Sequence, residues 1–351
     1  MNNLVIYIFF INLNIYFSNE NINLKKNENI EMNKTDIHSF NEVNKKNLIL
    51  GIIEKYTLNM VLPFFKSLIK SGFQNCDIVI FVRSINKILI NYLQKIGVLL
   101  IRIPDKYKNI SIINLRWEMY VNYLERNKNS YNLVFHCDIR DTFFQKDVFN
   151  YYNSDKPFLG ISLEDGKLDN EINKKWIIDY AGEQKFKEIQ NERIICVGTL
   201  WGTDDKFLEF SKAFSKKLKE NPQYIEQGIA NYMFYYEKFF NNCIIKSDNT
   251  GFVMTIGLTD REKLNLDLQD NILNFNGQIA AVIHQYDRKP DIAAKVIDKY
   301  CPELLTLKKR SIITIIIIEI FIIILICKAK LTLKTDNQIK SKIYKIIKSK
   351  N

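Results

Sequence analysis

From residue 47 onward the chain alternates short, almost wholly apolar runs with stretches in which apolar residues recur every three or four positions. Residues 48–53, 77–82, 98–103 and 132–139 are too continuously apolar for strands with one wetted face, and predict parallel strands covered on both sides. Between them Val61, Phe64, Phe65, Leu68 and Ile69 fall on one helical face, and Ile113, Trp117, Tyr120, Val121 and Leu124 on another. The order is βαβαβαβ over residues 47–145, which predicts an α/β fold with a Rossmann-like, mostly parallel central sheet. Ligands of such sheets bind outside the carboxyl ends of the strands, so the residues that close the fourth run, at Asp138, are the first candidates for chemistry.

Two apolar stretches obey neither pattern. Residues 311–327, SIITIIIIEIFIIILIC, are apolar apart from Glu319 and lie between Lys308, Lys309, Arg310 and Lys328. That is the short limit of a transmembrane helix with lysines at its ends. Near the amino terminus residues 4–17 form a shorter apolar stretch, broken by Asn12 and Asn14. Its length suits a signal peptide covering residues 1–18, with a retained signal anchor as the alternative. Residues 19–46, rich in Asn, Glu and Lys, read as a linker, and residues 47–307 as the folded body. Either reading of the amino terminus places that body in the lumen and residues 328–351 in the cytosol. The compartment expected is a Golgi or endoplasmic-reticulum membrane, or the plasma membrane.

Charge refines this picture. Of the formal net charge of +11, the last 24 residues alone account for +7, through eight lysines against Asp336, and residues 1–307 carry only +2. Basicity belongs to the tail, so no nucleic-acid partner is expected, and the tail is suited to an anionic membrane surface. Six cysteines show no CxxC or zinc spacing; Cys137 and Cys196 sit in strand-like runs and read as core thiols. Sequons occur at Asn33 and Asn109. P-loop, G-x-G-x-x-G, H-E-x-x-H and G-x-S-x-G motifs are all absent.

The segment after the fourth run reads HCDIRDTFFQKDVF, residues 136–149. Asp138 and Asp141 at the mouth of a parallel sheet could hold a divalent cation; they could equally cap a turn and pair with Arg140. Further on, His284 follows another apolar run and could ligate the same ion or bond to Asp287. Glu226-Gln227-Gly228 opens a helical stretch, where Glu226 also suits the helix dipole. Gly198-Thr199, after residues 194–197, reads as a small-residue turn, and the stripe Tyr232, Tyr235, Tyr236 and Phe239 as core.

The phrases DIRDTFFQKDVF, EQGIANYMFY and HQYDRKP, in that order over residues 47–302, resemble the GT-A class of nucleotide-sugar glycosyltransferases, in particular a eukaryotic group with D-x-R-D-x-x-F-Q and H-Q-Y-D-R segments. The resemblance implies that Asp138 and Asp141 hold the donor's ribose and an Mn²⁺ or Mg²⁺ ion, with His284 as a further ligand. It implies that Arg288, Lys289 and Arg140 face the diphosphate, that Arg116 lies against the donor, and that Gln227 and Glu226 reach the transferred sugar or the acceptor. Glu164 and Asp165 are acceptor-side acids on this reading. The partners implied are a nucleotide-sugar donor, a UDP-sugar by the resemblance, and a glycan, protein or lipid acceptor. Two departures stand out: Arg140 occupies the second acid position of D-x-D, and Glu226 stands where an Asp is usual. A non-catalytic membrane-anchored binding protein of the same fold is the alternative.

Overall fold

The computed structural model describes residues 45–152, 156–239 and 243–304. The apolar stretches at residues 4–17 and 311–327, nearly all of the linker, and the tail lie outside these. Among the described residues no helix is long and apolar enough to cross a membrane. In chain order the strands are β1 (Lys46–Glu54), β2 (Cys76–Arg83), β3 (Leu99–Arg102), β4 (Tyr131–Cys137), β5 (Thr142–Phe144), β6 (Leu159–Lys167), β7 (Arg193–Thr203), β8 (Ile244–Ser247), β9 (Val253–Thr255), β10 (Asn265–Leu266), β11 (Ile272–Leu273) and β12 (Val282–His284). The helices are α1 (Leu58–Lys70), α2 (Lys87–Lys95), α3 (Ile112–Arg126), α4 (Glu171–Ala181), α5 (Glu183–Ile189), α6 (Asp204–Glu220), α7 (Glu226–Tyr235) and α8 (Pro290–Tyr300).

The central sheet has the order β3-β2-β1-β4-β7-β6-β8. Its first four strands are parallel, β7 runs antiparallel to both β4 and β6, and β8 is parallel to β6. The sheet is therefore mixed and mostly parallel. Alternation along β1 explains its apolar run: Leu48 and Leu50 pack under α3, α6 and α7, while Ile49 and Ile53 pack under α1 and α2. A second, three-stranded sheet, β5-β12-β9, lies beside the first and is covered by α8.

Two local expectations change. On α1, Val61, Phe64, Phe65 and Leu68 are buried, but Ile69 is 58% exposed, because the helix face turns out of the core in its last turn. Gly198 and Thr199 lie inside β7 rather than in a turn after it. The five cysteines of the body are all free thiols, and Cys137 and Cys196 are buried in the core. Asn109 lies exposed in a turn.

Cross-strand fit limits what this sheet accepts. Gly160 on β6 pairs with Trp201 on β7, and a Cβ at Gly160 would fall 2.0 Å from the Trp201 Cε2. The indole is 1% exposed and has nowhere to retreat. Gly160→Ala is thus expected to cost about 3 kcal/mol, the upper end for overpacking, read as a lower denaturant midpoint. An unchanged midpoint would show that the indole is free to move.

Candidate functional site

Three short-range constraints bring together side chains far apart in sequence. Asp138 is the first residue past β4, and its backbone N–H donates to the Gly198 carbonyl of β7 at 2.8 Å. Three residues on, Asp141 precedes β5, and its carbonyl accepts from the Gln285 N–H at 2.7 Å. The β5–β12 register sets His284 opposite Thr142, so the imidazole arrives beside Asp141. Ligating atoms of Asp138, Asp141 and His284 all lie within 4.8 Å of one another, a group able to hold a metal ion.

The imidazole tells most about this group. Its Nε2 is 3.7 Å from Asp138 Oδ2 and 3.5 Å from Asp141 Oδ1, is buried, and has no hydrogen-bond partner. Its Nδ1 is 3.4 Å from the Thr255 hydroxyl and 3.5 Å from the Cys196 sulfur, and Thr255 in turn bonds Ser162 at 2.7 Å. If Nδ1 carries the proton and donates to Thr255, Nε2 presents a lone pair to two carboxylates, an arrangement that a divalent cation satisfies. Gly198 completes the cradle. A Cβ there would fall 2.3 Å from His284 Cε1 and 2.7 Å from Asp138 Oδ2. One nitrogen and two carboxylates suit Mn²⁺ or Mg²⁺ as hard to borderline ions. Without an ion, burial lowers the His284 pKa, and Cys196 with the carboxylates of Asp141 and Asp138 more than reverses this, holding it well above 6.5.

Behind the acids stands a buried charge network. Arg116 on α3 is 3% exposed; it donates from Nη1 to Asp138 Oδ1, from Nη2 to Glu226 Oε1, and from Nε to Glu226 Oε2 at 3.1 Å. The Trp117 indole N–H also donates to Glu226 Oε2, at 2.6 Å. Burial pushes the Glu226 carboxyl up, to about 7, against the pull of Arg116 and Trp117. Burial likewise lowers the Arg116 pKa, but Glu226 and Asp138 outweigh it and keep the guanidinium charged. Burial opposes ionisation of Asp138 too, yet Arg116 and then His284 hold its carboxyl well below the usual carboxylate range.

These contacts change the picture of two expected residues. Arg116 is neither a surface arginine paired with Glu118 nor free to lie against a donor, since its nitrogens are engaged by Glu226 and Asp138. Glu226, 4% exposed, faces Arg116 and Trp117. The extra methylene of Glu over Asp lets one carboxylate at the start of α7 span both partners on α3. Gln227, next along, is half-buried, and its amide reaches Asn173 Oδ1 at 3.1 Å and Glu164 Oε1 at 3.5 Å. Glu164 is 3% exposed, whereas Asp165 lies 4.0 Å from Lys263. Arg140 is half-exposed, 3.7 Å from Asp141 and 3.4 Å from Asp287. Arg288 is exposed in the turn after His284, and Lys289 donates to the Gly257 carbonyl at 3.2 Å. Of the aromatic stripe, Tyr232 is buried and the others are half-buried.

Sequence reasoning misses Cys196 and Thr255 behind the imidazole, Trp117 behind Glu226, and Tyr56, whose phenol is pushed up by burial and by Asp138. No local signal marks them. Each acquires its neighbour through strand register or helix docking.

No family model and no curated protein sequence matches the chain. Among solved structures, it is similar to the galactosyltransferase LgtC in complex with donor and acceptor sugar analogues, with 16% identity over 68% of this chain and 86% of that one and a TM-score of 0.43. It is similar to apo GlyE, a glycosyltransferase of Streptococcus pneumoniae, at 13% identity over 68% and 54% of the two chains, TM-score 0.42. A glycosyltransferase involved in glycosylation of the major capsid of PBCV-1 gives 12% identity over 71% and 99%, TM-score 0.37.

Proposed function

We propose that the chain is a metal-dependent GT-A glycosyltransferase that moves a hexose from a UDP-sugar to an acceptor hydroxyl. On this reading it is tethered to a secretory-pathway membrane with its body in the lumen. The observation that carries the proposal is the buried, partnerless His284 Nε2 turned toward Asp138 and Asp141 at the carboxyl ends of β4 and β12. Order and content of the three sequence phrases support the same class.

A divalent ion held by Asp138, Asp141 and His284 would supply positive charge against the departing diphosphate. The remaining work falls to the chain. Arg116 fixes the Asp138 carboxylate in its ionised form, and Glu226 and Trp117 fix Arg116, so all three position the site from behind. Arg140 and Arg288, on the open side, offer charge to a diphosphate. Gln227, steadied by Asn173, presents a polar surface to the sugar or the acceptor.

Release of UDP from UDP-hexoses with and without Mn²⁺, by the native chain and by Asp141→Ala, tests the proposal. Turnover that needs the ion and is lost in the variant is expected; equal turnover in both defeats the metal role. A sugar-nucleotide binder without turnover is the second reading, favoured by Arg140 standing 3.7 Å from Asp141 where a second acid is usual, and the same assay separates it.

Ion binding should also depend on pH with a definite sign. His284 must lose a proton to act as a ligand, and its pKa lies well above 6.5, so protons compete below that value. Mn²⁺ affinity is expected to rise as pH rises through neutrality. Titrations showing constant or falling affinity contradict His284 as a ligand.

A further inference from the structure

At the end of the body away from the cation site, two large apolar side chains are left in solvent. Leu268 is 102% exposed at the tip of the β10–β11 hairpin, and Ile69 is 58% exposed at the end of α1. The hairpin tip is not loose. Asp267 accepts from the Gln269 and Asn271 N–H groups at 2.9 and 2.8 Å, Lys295 pairs with Asp270, and Lys299 of α8 donates to the Gln269 carbonyl at 2.9 Å.

A chain of contacts joins the two residues into one face. Lys299 lies 5.7 Å from the Tyr300 ring, and Lys70, which follows Ile69, lies 5.3 Å from the same ring. On α1, one turn back, Lys66 pairs with Glu303 at 2.6 Å. Gln269, next to Leu268, and Lys70, next to Ile69, therefore both reach the last turn of α8, at Lys299 and Tyr300, a few residues before the polypeptide continues to residues 305–310 and the apolar run 311–327. Those six connecting residues span at most about 22 Å, so a membrane-inserted run would hold this end of the body near the bilayer.

We infer that this face docks on the lipid interface, with Leu268 and Ile69 entering the headgroup boundary. Lys70 keeps its stem on the Tyr300 ring and its ammonium group among the headgroups, while Lys299 braces the hairpin from within through the Gln269 carbonyl and Asn271 Oδ1. The inference rests on the reading of residues 311–327 as a membrane span. The other end of α8 begins next to Arg288 and Lys289, about 16 Å away along the helix axis. The cation site is thereby held up to a helix length from the lipid, where a glycan or protein acceptor can reach it.

The test places the photo-crosslinker benzoylphenylalanine at position 268, 69 or 172 of the full chain in phosphatidylcholine vesicles. Ile172, 57% exposed on α4, is the control, because α4 packs against α5 and α7 rather than α1 or α8. After irradiation, lipid adducts are expected at 268 and 69 and not at 172. A chain that floats with the vesicles but gives no adducts at 268 and 69, equal adducts at 172, or crosslinks to a second copy overturns the docking face and leaves the membrane span standing. A chain that does not float with the vesicles overturns the span and the docking face together.

Discussion

Replacing Arg116 by methionine is expected to destabilise the body by about 3–5 kcal/mol, the range for breaking a buried ion pair from one side. Methionine fills much of the volume but leaves the Glu226 carboxyl group buried with only the Trp117 N–H and driven to take up a proton, and leaves Asp138 without its guanidinium. The loss should be seen as a lower denaturant midpoint with an unchanged slope. A double variant separates charge from packing. In Arg116→Met with Glu226→Leu the orphaned buried carboxyl group is gone, and much of the stability should return, since removing both members of such a pair is often nearly neutral. A double variant as unstable as the single one would show that Arg116 matters through its packing on Trp117 instead.

Asp138→Ala is expected to lower Mn²⁺-dependent UDP release by on the order of 10²- to 10³-fold. Two losses coincide there: a ligand atom facing His284 Nε2, and the anion toward which Arg116 is aimed. Because the Asp138 side chain is 39% exposed, the fold should tolerate the change far better than it tolerates Arg116→Met. Release within a few-fold of native would place the chemistry elsewhere.

The parallel half of the sheet is legible in the sequence because strands covered on both faces must be apolar along their buried middles, as residues 48–53 of β1, 78–82 of β2 and 133–135 of β4 are. Of the second sheet only β12 leaves a trace, as the end of the apolar run before His284. β5, β9 and β12 are each three residues long, too short for a period to register, and only pairing with one another gives them their place. Ile69 is misassigned for a related reason. Helical spacing puts it near the core face, but among the described residues it is left 58% exposed in the last turn of α1.

The candidate site divides along the same line. Asp138 and Asp141 are marked by their place after an apolar strand, and His284 by closing another. Their convergence depends on the β5–β12 register, which no local pattern encodes. Glu226 illustrates the limit best. A carboxylate at the start of a helix satisfies the helix dipole and raises no expectation of a partner 110 residues earlier, yet Arg116 is where its charge is answered. Gly198 is likewise uninformative until β7 lies against the imidazole.

Calorimetric titration of Mn²⁺ into the native chain and into the Asp138→Ala, Asp141→Ala and His284→Ala variants tests most directly whether these three residues share one ion. The native chain should bind a single ion at the site, and each variant should lose that binding while remaining folded by circular dichroism. Undiminished binding in His284→Ala, with the fold intact, would contradict the account.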